Sequence, residues 1–173
     1  MSDKWANQAG PVSFGERLAG SQAFSLLFRE GMALVEETAG YLDGPGRRES
    51  KLLERSAALA YATESMRLTT RLMQIASWLL LHRAVNEGEM SLAQANKEKA
   101  KVKLSTGEGG DADTVALLPE MLRELIERSL RLQERVRRLD TTIHAAAPAE
   151  ANTTSPVERQ VNLLRAAFER DRA

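Results

Sequence analysis

The sequence lacks cysteine and has only two histidines and few aromatic residues, which together make up 5% of the chain. Without cysteine it can form no disulfide, thiolate nucleophile or cysteine zinc site, which is compatible with a reducing cytoplasm. His82 and His144 lie far apart, and neither follows a glutamate at the spacing of a metal or catalytic motif. These absences predict that the protein is not an enzyme and holds no metal or cofactor.

An excess of charge of either sign and a long hydrophobic run are also missing. Twenty-four basic residues balance twenty-four acidic ones, so the whole molecule would not attract nucleic acid or an anionic membrane, and protein partners are favoured. The longest apolar run, residues 72–81, contains Gln74 and Ser77 and is about half the length of a membrane-spanning helix. The sequence therefore predicts no membrane span. Residues 1–20 have no secretory leader pattern and are expected to be a flexible lead-in.

The first long helix is predicted at residues 21–42, where apolar residues recur at spacings of three and four. These residues are Phe24, Leu27, Phe28, Gly31, Val35, Ala39 and Leu42. The helix should end in DGPG, because Gly44 can take the left-handed cap conformation and Pro45 cannot donate a helical hydrogen bond. Arg47 and Arg48 follow this turn and are candidate donors to a carboxylate or phosphate of a partner. The alternative is a solvated pair of arginines, or arginines paired with nearby acids.

The second helix should run from about Arg47 to about Asn86, because no glycine or proline interrupts that stretch. It would span about 60 Å against about 33 Å for the first helix, which leaves its second half uncovered. That half is apolar nearly all round. We therefore expect a homodimer with Trp78, Leu79 and Leu81 at its interface. Burial inside a single chain is the alternative.

Further along the chain, Ser91 and Gln94 form a capping-box pattern for a short helix, which is followed by basic residues between 97 and 103 and by a glycine-rich loop. The lysines suit a solvated face better than a nucleic-acid site, because no aromatic residues alternate with them. The third long helix should open at Pro119. It carries a seam at alternating spacings of four and three, at Leu118, Leu122, Leu125, Ser129, Leu132, Val136, Leu139 and Ile143.

The C-terminal segment, residues 145–173, is predicted to be a flexible linker that ends in a short amphipathic helix. Ser155, Pro156 and Glu158 form a helix-start pattern. Three apolar residues, Val161, Leu164 and Phe168, continue from Val157 at helical spacing and are candidate partner-binding residues. Docking on a partner and folding back on the chain's own body both remain open.

These elements predict an all-α protein: an antiparallel three-helix bundle over residues 21–144 with one very long central helix, a flexible N-terminus and a C-terminal tail. Two stretches also carry a family resemblance. LLFREGMALVEETAGYLDGPGRRES at 26–50 and YATESMRLTTRLMQIASWLLLHRAVNEGE at 61–89 resemble the alphaproteobacterial family of the regulator of CtrA degradation. With KEKAKVKL at 97–104, the resemblance covers most of residues 21–104, whereas the third helix and the tail match mainly in pattern.

The resemblance implies a dimeric, non-enzymatic adaptor for the ClpXP protease. Such an adaptor cooperates with a response-regulator-like priming partner to deliver transcription-factor cargo such as CtrA, and a cyclic-di-GMP-binding protein acts as a further adaptor. The resemblance also implies a cytoplasmic protein enriched at a cell pole. The residues alone leave two alternatives open, a dimeric helical scaffold and a nucleic-acid-associated helical protein, neither with a protease link.

Overall fold

The computed structural model describes residues 22–101 and 110–146, and every regular element in these two ranges is an α-helix. The helices are α1 (Gln22–Asp43), α2 (Pro45–Ser50), α3 (Arg55–Asn86), α4 (Leu92–Lys99), α5 (Ala112–Ala116) and α6 (Glu120–Ala146). The prediction of an all-α protein is confirmed. No helix in the described ranges is long and apolar enough to cross a membrane. The predicted lead-in at 1–20 and residues 147–173 of the predicted tail lie outside the described residues.

The first helix ends as predicted, but Gly44 does not adopt the left-handed cap conformation. Its φ is −109°, and its amide donates to the carbonyl oxygens of Gly40 and Tyr41. A Cβ atom at Gly44 would lie 2.8 Å from the carbonyl oxygen of Gly40, so the position needs glycine for close approach. The left-handed glycine in the described chain is Gly88, with φ of 73° just after α3.

The predicted second helix is two helices, because α2 ends at Ser50 and α3 begins at Arg55. No glycine or proline marks this break in the sequence. Instead, α2 packs against α1, and the chain turns again at residues 51–54 before α3 runs back along α1. Glu54 provides this turn, since its extended backbone, with ψ of 159°, precedes the first turn of α3. Tertiary packing therefore overrides the local helical preference of residues 51–54.

The three long helices α1, α3 and α6 contact one another in all three pairings. α1 is antiparallel to α6, because Glu30 binds Arg135 and Glu37 binds Arg128. α3 and α6 run parallel, because Arg71 bonds to Ser129 and, further along both helices, Trp78 bonds to Asp140. The expectation of wholly antiparallel helices is therefore wrong for this pair. The chain after α3 returns along it before α6 starts, and Gly110 lies against Glu64, early in α3.

The core differs from the predicted seam of α1. The buried positions in its second half are Leu34, Thr38 and Tyr41, whereas Val35 is only partly buried and Ala39 is exposed. The seam of α6 is confirmed except at Leu139, which is only partly buried. The buried positions of this seam are Leu122, Leu125, Ser129, Leu132, Val136 and Ile143, with Leu118 just before the helix. The predicted seam residues Val35, Ala39 and Leu42 of α1 therefore lie at the edge of the core or in solvent.

The predicted dimer interface needs correction at two of its three residues. Trp78 is 1% exposed and Leu79 is 0% exposed, and both belong to the core of the single chain. The Trp78 indole packs against Phe24 and His82, and its Nε1 donates to Asp140 Oδ1 at 2.8 Å. Neither side chain has surface to offer a second subunit. Leu81 is partly buried, and its place in an interface stays a prediction.

Candidate partner-binding surfaces

The turn that carries Arg47 and Arg48 is fixed by close packing of Gly46 against the side chains of Tyr41 and Tyr61. Gly46 in α2 is buried, and a Cβ atom there would lie 2.5 Å from Tyr61 Oη and 2.8 Å from Tyr41 Cε1. Tyr41 Oη donates to Glu49 Oε2 at 2.7 Å, which fixes the far end of α2. Burial, helped by the Glu49 carboxylate, raises the pKa of Tyr41, so its hydroxyl stays a donor at neutral pH. α2 is therefore held rigidly.

The side chains that α2 presents to solvent are basic. Arg47 and Arg48 are both exposed, as predicted, and Arg47 makes only a long contact of 3.7 Å with Asp43. Lys51 and Arg55 extend the positive charge beyond α2, and Leu52 between them is 86% exposed. We call residues 47–55 the basic corner. A rigid group of cations around an exposed leucine can bind carboxylates of a partner and bury one apolar side chain.

Replacing Gly46 by alanine is expected to lower the free energy of unfolding by about 1–3 kcal/mol, because the added methyl group overpacks the two tyrosine rings. Gly40 in α1 provides the matched control, since a Cβ atom there meets nothing within 4 Å. Gly40→Ala should stabilise the protein by about 0.5–1 kcal/mol through helix propensity. Chemical unfolding of both variants measures the two effects. Equal effects at the two positions would contradict the packing seen at Gly46.

A second surface runs along the side of α3 that faces away from α6. Four large apolar residues recur there at intervals of seven, and their exposed fractions lie between 52% and 72%. They are Leu59, Met66, Met73 and Leu80. We call this set the apolar stripe. Solvent-exposed hydrophobic residues in such a row are typical of a surface that packs against another helix.

Beside the middle of the stripe, α1 and α3 enclose a groove with a cavity of about 310 Å³. Its lining is mostly apolar and includes Val35, Ala39 and Leu42 from α1 with Thr69, Leu72, Met73 and Ala76 from α3. Thr38 also lines it, is 3% exposed, and its Oγ1 has no hydrogen-bond partner among the described residues. A buried hydroxyl without a partner is costly, so Thr38 is a position where an apolar side chain should be tolerated.

Thr38→Val should raise the free energy of unfolding by up to about 1 kcal/mol, because it replaces an unpaired buried hydroxyl by a methyl group of the same shape. Thr69→Val is the control, since the Thr69 hydroxyl is exposed and already donates to the Ser65 carbonyl oxygen. Thermal or chemical unfolding gives both values. A clear loss of stability in Thr38→Val would mean that the hydroxyl has a partner.

The lysines after Ser91 are mostly engaged in structural contacts. The predicted capping box is confirmed and starts α4. Lys99 Nζ donates to both carboxylate oxygens of Asp140 at 2.5 and 2.6 Å, and Lys101 pairs with Glu98. His144 Nε2 lies 2.9 Å from Asn96 Oδ1. The contacts of Lys99 and His144 fasten α4 to the last turns of α6, and two of the three described lysines of this stretch are paired with carboxylates.

The described residues bring together no group of three or more histidine, aspartate or glutamate side chains that could hold a metal ion. The predicted residues Val161, Leu164 and Phe168 lie outside the described residues. The apolar stripe was not singled out in the sequence, although its spacing of seven is visible there. It was hidden because α3 is apolar on several faces at once. What the described surface can do chemically is bind other proteins.

Fold and surfaces together define an all-helical protein with an exposed basic corner and an exposed row of apolar residues. Residues 15–168 match the family described as "Protein of unknown function (DUF1465)". The crystal structure of RcdA from Caulobacter crescentus CB15 is similar, with 54% identity and a TM-score of 0.59, over 74% of this chain and 96% of that chain. No curated protein matches. The chain belongs to this family, which is the RcdA family.

Proposed function

We propose that the protein is a non-enzymatic adaptor that helps deliver cell-cycle regulators, such as the response regulator CtrA, to the ClpXP protease. The 54% identity to RcdA over nearly the whole of that chain carries the proposal. The basic corner supports it, because an adaptor needs an exposed surface that binds a partner. Holding cargo and protease together raises their effective concentration without any chemistry by the adaptor itself.

The basic corner is the surface that we assign to the priming partner or the protease. Arg47 and Arg48 are exposed and lie on a rigid helix, so the backbone that carries them loses little conformational entropy when they bind. A response-regulator-like priming partner and a cyclic-di-GMP-binding adaptor are the expected members of the assembly. We place it in the cytoplasm, with enrichment at a cell pole.

We also propose a homodimer and a three-helix bundle of α1, α3 and α6 with α3 at its centre. Because Trp78 and Leu79 are buried, Leu81 is the one residue of the three predicted for the interface that would take part in the dimer. The nucleic-acid alternative is not favoured, since Lys99 and Lys101 are engaged with Asp140 and Glu98.

Degradation of purified CtrA by ClpXP and the priming partner tests the adaptor proposal directly. We expect the protein to raise the degradation rate only when the priming partner is present. An unrelated ClpXP substrate with its own recognition tag is the control and should be degraded at the same rate with and without the protein. An unchanged rate for CtrA and for other transcription-factor cargo would contradict the proposal.

A further inference from the structure

We propose that the chain's own segment 156–168 docks on α3 at the end of the apolar stripe formed by Met73 and Leu80 and covers the groove between α1 and α3. The stripe offers large exposed apolar residues, and the groove beside it is lined mostly by apolar side chains of α1 and α3. Both features indicate a covering helix that the described residues do not supply. This inference concerns the chain itself and does not depend on the adaptor proposal.

The spacing of the C-terminal apolar residues matches the exposed surface of α3. Along the segment, Val157, Val161, Leu164 and Phe168 are separated by four, three and four residues. Along α3, Leu80, Ala76, Met73 and Thr69 are separated by the same steps in the reverse direction. An antiparallel helix therefore places each residue of one row opposite one residue of the other. This is the alternation by which two helices form a continuous apolar seam.

The sizes of the facing residues are also complementary. In this register Phe168 lies opposite Thr69 and Val161 lies opposite Ala76, so that a larger side chain meets a smaller one at these two positions. Small residues on one helix let a second helix approach closely, and the larger side chains then fill the groove. The groove of about 310 Å³ between Leu42 and Leu72 provides the room.

The segment starts within reach of this surface. Because Trp78 bonds to Asp140 and α6 runs parallel to α3, Ala146 at the end of α6 lies near the level of the last turns of α3. Leu80 lies about 9 Å along the helix axis before the C-terminal end of α3. Residues 147–155 can span up to about 30 Å when extended, which is enough to pass around the helices and bring Val157 to Leu80. The return direction is then antiparallel to α3, as the spacing requires.

Because the chain contains no cysteine, pairs of introduced cysteines test this placement cleanly. The pair Met73→Cys with Leu164→Cys should form an intramolecular disulfide under oxidised glutathione. Glu134→Cys with Leu164→Cys is the control: Glu134 is exposed on α6 at a similar level and is closer to the segment along the chain. We expect the first pair to close at least about tenfold faster, because docking raises its effective concentration. Thr69→Cys with Phe168→Cys provides a second pair in the same register.

A charge in the predicted seam gives an independent readout. Val161→Asp, added to the first pair, should bring its rate down to that of the control pair, whereas Asn162→Asp, on the far side of the helix from the seam, should not. Equal rates for the first pair and the control pair would overturn the proposal. A disulfide that joins two chains and forms faster at higher protein concentration would also overturn it, because a second copy would then occupy the stripe.

Discussion

Trp78→Ala is expected to lower the free energy of unfolding by about 3–5 kcal/mol, and this loss should not depend on protein concentration. The indole is fully buried in the core of one chain, so its removal leaves a cavity. The change also leaves Asp140 without the bond from the indole Nε1. Chemical unfolding at several protein concentrations measures both the loss and its concentration dependence.

The control for this prediction is Leu59→Ala, on the same helix α3. Leu59 is 71% exposed, so its truncation should change the stability of the single chain by no more than about 0.5 kcal/mol. If Trp78 were at a subunit interface instead, the unfolding midpoint of the native protein would rise with concentration and that of Trp78→Ala would not. That pattern would contradict the intramolecular packing described for Trp78.

Acidification should destabilise the protein between about pH 6.5 and pH 4, by about 3 kcal/mol through His82 alone. Burial lowers the pKa of His82 from its usual 6.5 to about 4, against the opposing effect of the Asp140 carboxylate. Lys99 and His144 lower it further. In this range the unfolded chain binds a proton that the folded chain excludes, so stability rises with pH and is lost as the pH falls. Unfolding curves across this range measure the slope.

His82→Leu should remove most of this slope, because leucine has a similar volume and cannot be protonated. Comparing this variant with the native protein subtracts the contribution of carboxylates such as Glu37, whose pKa is lowered by the hydrogen bond from Arg128. His144→Gln is a matched control at an exposed histidine and should keep the slope, since His82 is still present. A slope that survives in His82→Leu would show that another group is responsible.

The sequence predicted the helical class, the ends of α1 and the seam of α6, because these depend on local patterns: apolar spacing, a DGPG stop and a capping box. It did not predict the break at residues 51–54. The break lies next to a helix whose Gly46 packs against Tyr61 of α3, a contact that no local pattern reveals.

The candidate surface residues also divide into those that a local sequence pattern indicates and those whose exposure depends on packing between distant helices. Arg47 and Arg48 were found because a turn followed by paired arginines is visible in the sequence. Trp78 and Leu79 were misplaced because α3 is apolar nearly all round, and only the path of α6 decides which of its faces is covered. Once α6 is placed parallel to α3, the buried and exposed sides separate, and the row of Leu59, Met66, Met73 and Leu80 is left in solvent. The return path of the chain after α3 could not be inferred from spacing.

The most direct test of the adaptor role compares CtrA degradation by ClpXP and the priming partner in the presence of two double variants. Arg47→Glu with Arg48→Glu reverses the basic corner. Arg131→Glu with Arg138→Glu makes the same change in charge at exposed positions on α6. We predict that the native protein and the α6 variant accelerate degradation and that the corner variant does not. Equal acceleration by both variants would contradict the assignment of the corner, and no acceleration by the native protein would contradict the adaptor function itself.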